Sequence, residues 1–185
     1  GDLLGPEQSG YINSLGMDMY IDILNEVISE KKGKSKEQKK ILTTNISVGG
    51  YIPSSYALDS DKIALYQEIE NCKSIKDIEI FRRKIRDIYG RIPKEVEKII
   101  LKRRIDILSS SDNIKSVYED DDIVIVLSKE VTKKTGVARE LNEKLSKYQK
   151  ILSLKFNSQE ITLKLKKSKD NIDALISILA FINTL

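Results

Sequence analysis

The chain has 185 residues, of which 40% are hydrophobic and 32% charged, and its formal net charge is +4. A chain of this size and composition buries about 70% of its unfolded surface, which excludes a short peptide and a disordered tail. The chain contains no histidine and one cysteine, Cys72, so an internal disulfide and a structural zinc site are both excluded. It has neither an apolar run of the ~18 residues that a membrane span needs nor the residue order of a signal peptide. We therefore expect a cytoplasmic protein without a membrane partner.

The first forty residues contain two contrasting stretches. The chain opens with GDLLGPEQSG, which does not read as a helix, and from Met17 to Ile28 apolar residues return at helical spacing. Residues 31–40 then hold six lysines and no apolar side chain, which favours a linker. The alternative for this segment is a patch that binds nucleic-acid phosphates.

The next residues predict a strand and then a helix. Four residues alternate with polar neighbours, which is typical of a strand with one buried face: Leu42, Thr44, Ile46 and Val48. A helix is predicted to begin at Asp59, with these residues facing inward: Ile63, Tyr66 and Ile69.

Two further helices are predicted on either side of Gly90. Ser74 followed by Asp77 is close to a capping box, and the stripe behind it comprises Ile75, Ile78, Phe81, Ile85 and Ile88. Gly90 ends this helix, and Pro93 lies in the first turn of the next. The inward positions of that helix include Val96, Ile99, Ile100 and Ile107.

The final third contains two consecutive ββα patterns. One hairpin surrounds the acidic turn 119–122, another surrounds residues 157–159, and each is followed by an amphipathic helix. The pattern predicts an α+β fold with a mainly antiparallel sheet and helices on one face. We divide the chain into an N-terminal helix and linker, residues 1–40, and an α+β domain, residues 41–185.

A search for chemistry finds no nucleophile with a base, no phosphate-binding glycine loop and no metal-ligand spacing. Asp120 to Asp122 favour a structural turn over a cation site, and Cys72 has no histidine to activate it. Lys102, Arg103 and Arg104 form a basic run that favours a solvated helix face, with a nucleic-acid contact as the alternative. We expect no catalytic, cofactor-binding or metal-binding residue in this part of the protein.

The opening residues, followed by LGMDMYIDILNE, resemble the exit from the ATP-driven motor of bacterial transcription-repair coupling factors, and the G-x-x-Q-S-G phrase also occurs in RecG-type helicases. The stretches YIPSSYALDSDKIALYQEI and FRRKIRDIYGRIPKEVEKII resemble the C-terminal domain of that family. The family pattern D-x-[FY]-G-x-x-P-x-x-V is matched by Asp87, Tyr89, Gly90, Pro93 and Val96.

The resemblance implies a regulatory, autoinhibitory domain that docks on a UvrB-like module of the same polypeptide and masks its UvrA-binding surface. The full-length protein would be an ATP-dependent DNA translocase that uses ATP and Mg, contacts RNA polymerase, UvrA and double-stranded DNA, and couples transcription to nucleotide excision repair. The alternative function is a nucleic-acid-binding appendage that uses residues 31–40 and 102–104.

The resemblance also implies two sets of site residues. The motor-exit motif comprises Gly5, Gln8, Ser9 and Gly10, and the docking contact is expected around Asp87, with Arg83, Lys84, Ile88 and Arg91. This sequence has Lys84 where family members often have Glu, and Ile88 where many have Arg.

Overall fold

The computed structural model describes residues 40–185. The helices are α1 (Asp59–Asn71), α2 (Ile75–Tyr89), α3 (Lys94–Ser109), α4 (Lys129–Thr132), α5 (Val137–Lys144) and α6 (Ile172–Asn183). The strands are β1 (Ile114–Glu119), β2 (Asp122–Leu127), β3 (Leu152–Phe156) and β4 (Ile161–Lys166). Short 3-10 helices, Ser146–Tyr148 and Lys169–Asn171, precede β3 and α6. This order confirms the predicted α+β class and both predicted hairpins.

Several predictions concern residues that the structure does not describe. These are the motor-exit motif Gly5, Gln8, Ser9 and Gly10, the helix after Met17, and the lysine-rich segment 31–40 apart from Lys40, which is exposed.

Local signals set the boundaries of α2. The Ser74 hydroxyl accepts a hydrogen bond from the backbone N–H of Asp77 at 3.1 Å, which caps the first turn as predicted. Gly90 ends the helix with a φ of 84°, in the left-handed region that glycine adopts without steric cost. Pro93 then occupies the N-cap of α3, one position before the predicted first turn.

The four strands form one antiparallel sheet in the order β1-β2-β4-β3. Ile125 on β2 lies opposite Val117 on β1 and Leu163 on β4, and Leu163 lies opposite Leu154 on β3. Because directly paired residues share a face, these four side chains form one apolar row across the sheet. The two hairpins therefore lie side by side through the β2 and β4 strands.

One face of the sheet packs into the main core. This core extends from Ile46 to Ile182 and includes the side chains of the apolar row and those of α6, and α6 also packs on α3. On the other face, Val124 and Val126 are buried but lie outside the core cluster, and Lys155 and Lys164 are exposed. Among residues 40–185, the helices of the main core therefore pack on one face of the sheet, and the other face combines two buried valines with exposed lysines.

The segment 42–48 belongs to no helix or strand, so the predicted strand is wrong. Its backbone bonds to side chains: the N–H of Leu42 donates to Ser110 Oγ at 3.0 Å, and that of Thr44 donates to Asp106 Oδ1 at 3.1 Å. Alternation predicts an extended chain but not a partner strand, and here side chains of α3 and the residue that follows it satisfy the N–H groups. Ile46 is buried as predicted, whereas Leu42 is exposed.

Two predicted inward faces are partly wrong. In α1 the buried residues are Leu65 and Ile69, whereas Ile63 and Tyr66, both predicted to face inward, are 67% and 40% exposed. Leu65 lies about 200° around the helix from Ile63, so the core selects the opposite side. In α2, Ile88 is 60% exposed. Residues three positions apart on a helix point about 60° away from each other, so a stripe built mainly from such steps drifts around the helix and its last member, Ile88, leaves the buried side.

Candidate protein-interaction face

The outward side of α2 carries five exposed side chains, Ile80, Arg83, Lys84, Asp87 and Ile88. Because a helix has 3.6 residues per turn, spacings of three, four, seven and eight residues place them on one side. We call these five residues the outer face of α2. Four of them were predicted interaction residues, and Ile80, which is 53% exposed, was missed. Ile80 could have been found from the sequence, because it is an apolar residue that does not belong to the inward stripe of α2.

The charges on the outer face of α2 differ in their local partners. Lys84 Nζ lies 3.0 Å from Glu68 Oε1 on α1, and both side chains are partly exposed, so this pair contributes well under ~1 kcal/mol. Within residues 40–185, the side chains of Arg83 and Asp87 make no hydrogen bond or ion pair. One charge of each sign is therefore available to a partner. The predicted residue Arg91 lies in the turn after α2 and has local polar interactions.

The inner side of α2 is fixed to α3 by buried charges. Arg82 is 5% exposed, and its guanidinium lies 2.7 Å from Glu97 Oε1 and 3.5 Å from Glu79 Oε1. The guanidinium of Arg104, from α3, lies 3.4 Å from the same Glu79 oxygen. The two guanidinium groups are buried while the carboxylates are partly exposed, so these contacts link α2 to α3 through Glu79 and Glu97. The outer face of α2 therefore sits on a helix held in one orientation.

The basic run on α3 does not form an exposed patch. Arg103 and Arg104 are 4% and 2% exposed, so the expectation of a solvated helix face is wrong for both residues. Arg103 Nε donates to the carbonyl of Cys72 at 3.0 Å, and its NH2 group donates to that of Glu70 at 2.8 Å. Arg103 therefore satisfies carbonyl groups at the C-terminal end of α1.

Lys102, the third member of the run, is also engaged. Its Nζ lies 2.8 Å from Asp106 Oδ1 and donates to the carbonyl of Thr44 at 3.0 Å. Asp106 is 3% exposed and also accepts hydrogen bonds from Thr44, so this cluster attaches the segment 42–48 to α3. A surface contact with nucleic acid would therefore compete with internal bonds of all three residues.

The remaining reactive groups have structural roles. Cys72 is 5% exposed at the end of α1, and burial together with the nearby Asp77 carboxylate raises the pKa of its thiol to about 11. The Asp120 side chain accepts from the N–H of Asp122 at 3.1 Å, which closes the turn between β1 and β2. Among residues 40–185, no group of three His, Cys, Asp or Glu residues is placed to hold a metal ion. In the same range, none of the helices has the length and apolar character needed to cross a membrane.

The structure thus defines a class, an α+β domain with a four-stranded antiparallel sheet and an exposed, partly apolar helix face. Residues 46–138, about half of the chain, match the TRCF domain family, and the chain belongs to that family. The matched range includes the outer face of α2 and the first hairpin. This match confirms the prediction, made from the resemblance of the sequence, that the chain contains the C-terminal domain of this family.

Individual relatives agree with this assignment. A transcription-repair-coupling factor of Borreliella burgdorferi is 32% identical over 120 residues, which cover 64% of this chain and 11% of that protein. One of Bacillus subtilis is 29% identical over 135 residues, covering 71% of this chain and 12% of that protein. The chain therefore spans about an eighth of the length of these relatives.

A solved structure shows the same fold. The crystal structure of the C-terminal domain of a transcription-repair coupling factor superposes with a TM-score of 0.57 at 21% identity. The match covers 80% of this chain and 98% of the other chain.

Proposed function

We propose that this chain is the regulatory C-terminal domain of a bacterial DNA translocase that couples transcription to nucleotide excision repair. In this proposal it docks on a UvrB-like module of the same polypeptide and masks the surface that recruits UvrA. Membership of the TRCF domain family and the names of its relatives support the coupling role. The outer face of α2 supports a role through contact.

The composition of the outer face of α2 suits a reversible contact. Ile80 and Ile88 offer apolar side chains to bury, while Arg83 and Asp87 offer opposite charges without internal partners. Interfaces combine apolar contacts with charged groups that select the partner and its orientation. Within one polypeptide, a weak contact suffices because the linked module is present at a high effective concentration.

Regulation by this route requires no catalytic residue in the domain. The docked and released states form a two-state element, and a ligand of the full-length protein shifts the balance only by binding the two states with different affinity. RNA polymerase, UvrA and double-stranded DNA are the proposed ligands of the full-length protein. ATP and Mg would serve its motor, in the bacterial cytoplasm.

The single observation that carries the docking proposal is the unpaired Asp87 beside the exposed Ile88. The test adds the isolated UvrB-like module of the same protein to this chain and measures binding by calorimetry. We expect saturable binding that Asp87→Lys weakens about tenfold, because a reversed charge at an interface costs about 1–2 kcal/mol.

Asp121→Lys provides the matched control, since Asp121 is an exposed aspartate in the turn between β1 and β2. It changes the net charge by the same amount and is expected to leave the affinity unchanged. An absence of binding at high micromolar concentration, or equal weakening by both variants, would contradict the proposal.

A further inference from the structure

A second feature of the molecule is a local concentration of positive charge. Residues 144–169 contain eight lysines, one glutamate and no other charged residue, so this stretch has a net charge of +7. The whole chain has a net charge of only +4, and the remainder is therefore net negative. The modest overall charge conceals a strongly basic region.

This basic region is the β3–β4 hairpin with its flanking turns, and all eight lysines are exposed. Three of them, Lys155, Lys164 and Lys166, lie on the sheet face opposite the main core. Lys155 is paired with Thr162 and Lys164 with Ser153, so Lys155 and Lys164 are diagonal neighbours about 7–8 Å apart. Lys164 and Lys166 are separated by two residues of β4, or about 7 Å. We call these three residues the lysine strip.

Few acidic groups oppose the lysine strip. Lys155 and Lys164 form no ion pair within residues 40–185, and their cross-strand neighbours in β3 and β4 are Ser153 and Thr162. Acidic residues are near both ends: Asp122 is paired with Lys166, and Glu160 directly precedes β4, two residues from the Thr162 that is paired with Lys155. Just beyond the strip, Lys167 Nζ lies 3.8 Å from Glu119 Oε2. Most of the positive potential on this face is therefore not neutralised internally.

We propose that the lysine strip binds the phosphate backbone of duplex DNA. Lysine ammonium groups spaced along a flat surface contact successive phosphates and release condensed counterions, without reading the base sequence. This inference is independent of the docking proposal, because it concerns the β3–β4 hairpin, not the outer face of α2, and a different partner.

The aromatic residues favour duplex over single-stranded nucleic acid. Single-strand binding surfaces combine a basic track with aromatic rings on which bases stack. Here the exposed Tyr118 lies on β1, two strands from Lys164, and the exposed Phe156 is paired with Ile161 on the helix-covered face. On the described strands, Tyr118 is the one exposed ring on the same face as the lysine strip, and a single ring two strands away is no stacking track, so backbone contacts are the mode that the strip supports.

The test measures binding of the complete 185-residue chain to a fluorescent 20-base-pair duplex by anisotropy, between 50 and 200 mM salt. The variant replaces all three members of the lysine strip by Gln. The matched control replaces three exposed lysines on the helical part, Lys73, Lys76 and Lys98, and it loses the same charge. Residues 31–40 are common to all three proteins, so their contribution cancels in the comparison.

We expect the slope of log affinity against log salt to be about 2.7 shallower in the strip variant, since each phosphate contact contributes about 0.9. Three phosphate contacts make affinity fall about 40-fold when the salt rises from 50 to 200 mM, and the strip variant should lack this part of the salt dependence. The control is expected to keep the slope of the unmodified chain, and thermal unfolding of all three proteins should coincide because the replaced side chains are exposed.

Three results would overturn the assignment. These are no saturable binding of the duplex at 50 mM salt, an equal slope for the strip variant and the unmodified chain, and an equal loss in the control. Tighter binding of a single strand of the same length, or of a polyglutamate peptide, would show that the strip serves another polyanion.

Discussion

Arg103 provides the sharpest test of how this fold is stabilised, because the sequence places it in a basic run and the structure buries it. We consider Arg103→Met, which keeps most of the apolar stem and removes the guanidinium. The variant leaves two carbonyl groups without their donor, the buried one of Cys72 and the partly buried one of Glu70.

The expected cost follows from these two groups. A buried acceptor that loses its only partner costs about 1–3 kcal/mol, and a partly buried one that regains water costs about 0.5–1 kcal/mol. Loss of a cation at the C-terminal end of α1 adds about 0.3–1 kcal/mol. The free energy of unfolding should therefore fall by about 2–5 kcal/mol.

Urea unfolding followed by circular dichroism measures this change. With a slope of about 2 kcal/mol per molar urea, the midpoint should shift down by about 1–2.5 M. Arg103→Lys should fall between the two, because one ammonium group cannot reproduce the forked pair of bonds. Arg83→Met is the control, since Arg83 is exposed and the change should stay within about 0.5 kcal/mol. If Arg103→Met behaved like this control, the structural role assigned to Arg103 would be refuted.

Two further predictions concern neighbouring parts of the molecule. A Cβ on Gly50, whose φ is 101°, would lie 2.6 Å from the carbonyl oxygen of Glu95, so Gly50→Ala should lower the melting temperature clearly more than Gly49→Ala. Gly49 has a φ of 82° and open space around it, so only about 1 kcal/mol of backbone strain is expected there, and equal shifts would contradict this packing. For Cys72, a rise of the thiol pKa from 9.0 to about 11 reduces the thiolate fraction about hundredfold at pH 8. Its reaction with a disulfide reagent should therefore be at least that much slower than in urea, and should accelerate up to about pH 11. Rapid labelling of the folded chain at pH 8 would count against its burial.

The sequence predicts those elements whose signals are local. Ser74 and Gly90 bracket α2 by capping and by a positive φ, and both appear where they were expected. The hairpins follow from alternation interrupted by short polar turns. Such features depend on neighbours within a few residues, which is why the α+β class and the antiparallel sheet could be predicted.

The errors concern features that depend on distant parts of the chain. The segment 42–48 was predicted to be a strand, but its Thr44 N–H bonds to the side chain of Asp106, which is sixty-two residues away in the chain. The burial of Arg103 depends on where the C-terminal end of α1 lies. Four residues of the outer face of α2 were predicted as interaction residues from a family resemblance, and the burial of individual side chains then separated Ile88 from the inward stripe.

Asn45 has an effect on the sheet that exceeds its size. Its side-chain amide donates to the carbonyl of Glu119 at 2.9 Å and accepts from the N–H of the same residue at 2.7 Å. An adjoining strand would offer the same donor and acceptor, so one amide group occupies the outer margin of β1 where another polypeptide could otherwise add. At Glu119, the last residue of β1, a further strand would therefore have to displace this amide before it could pair.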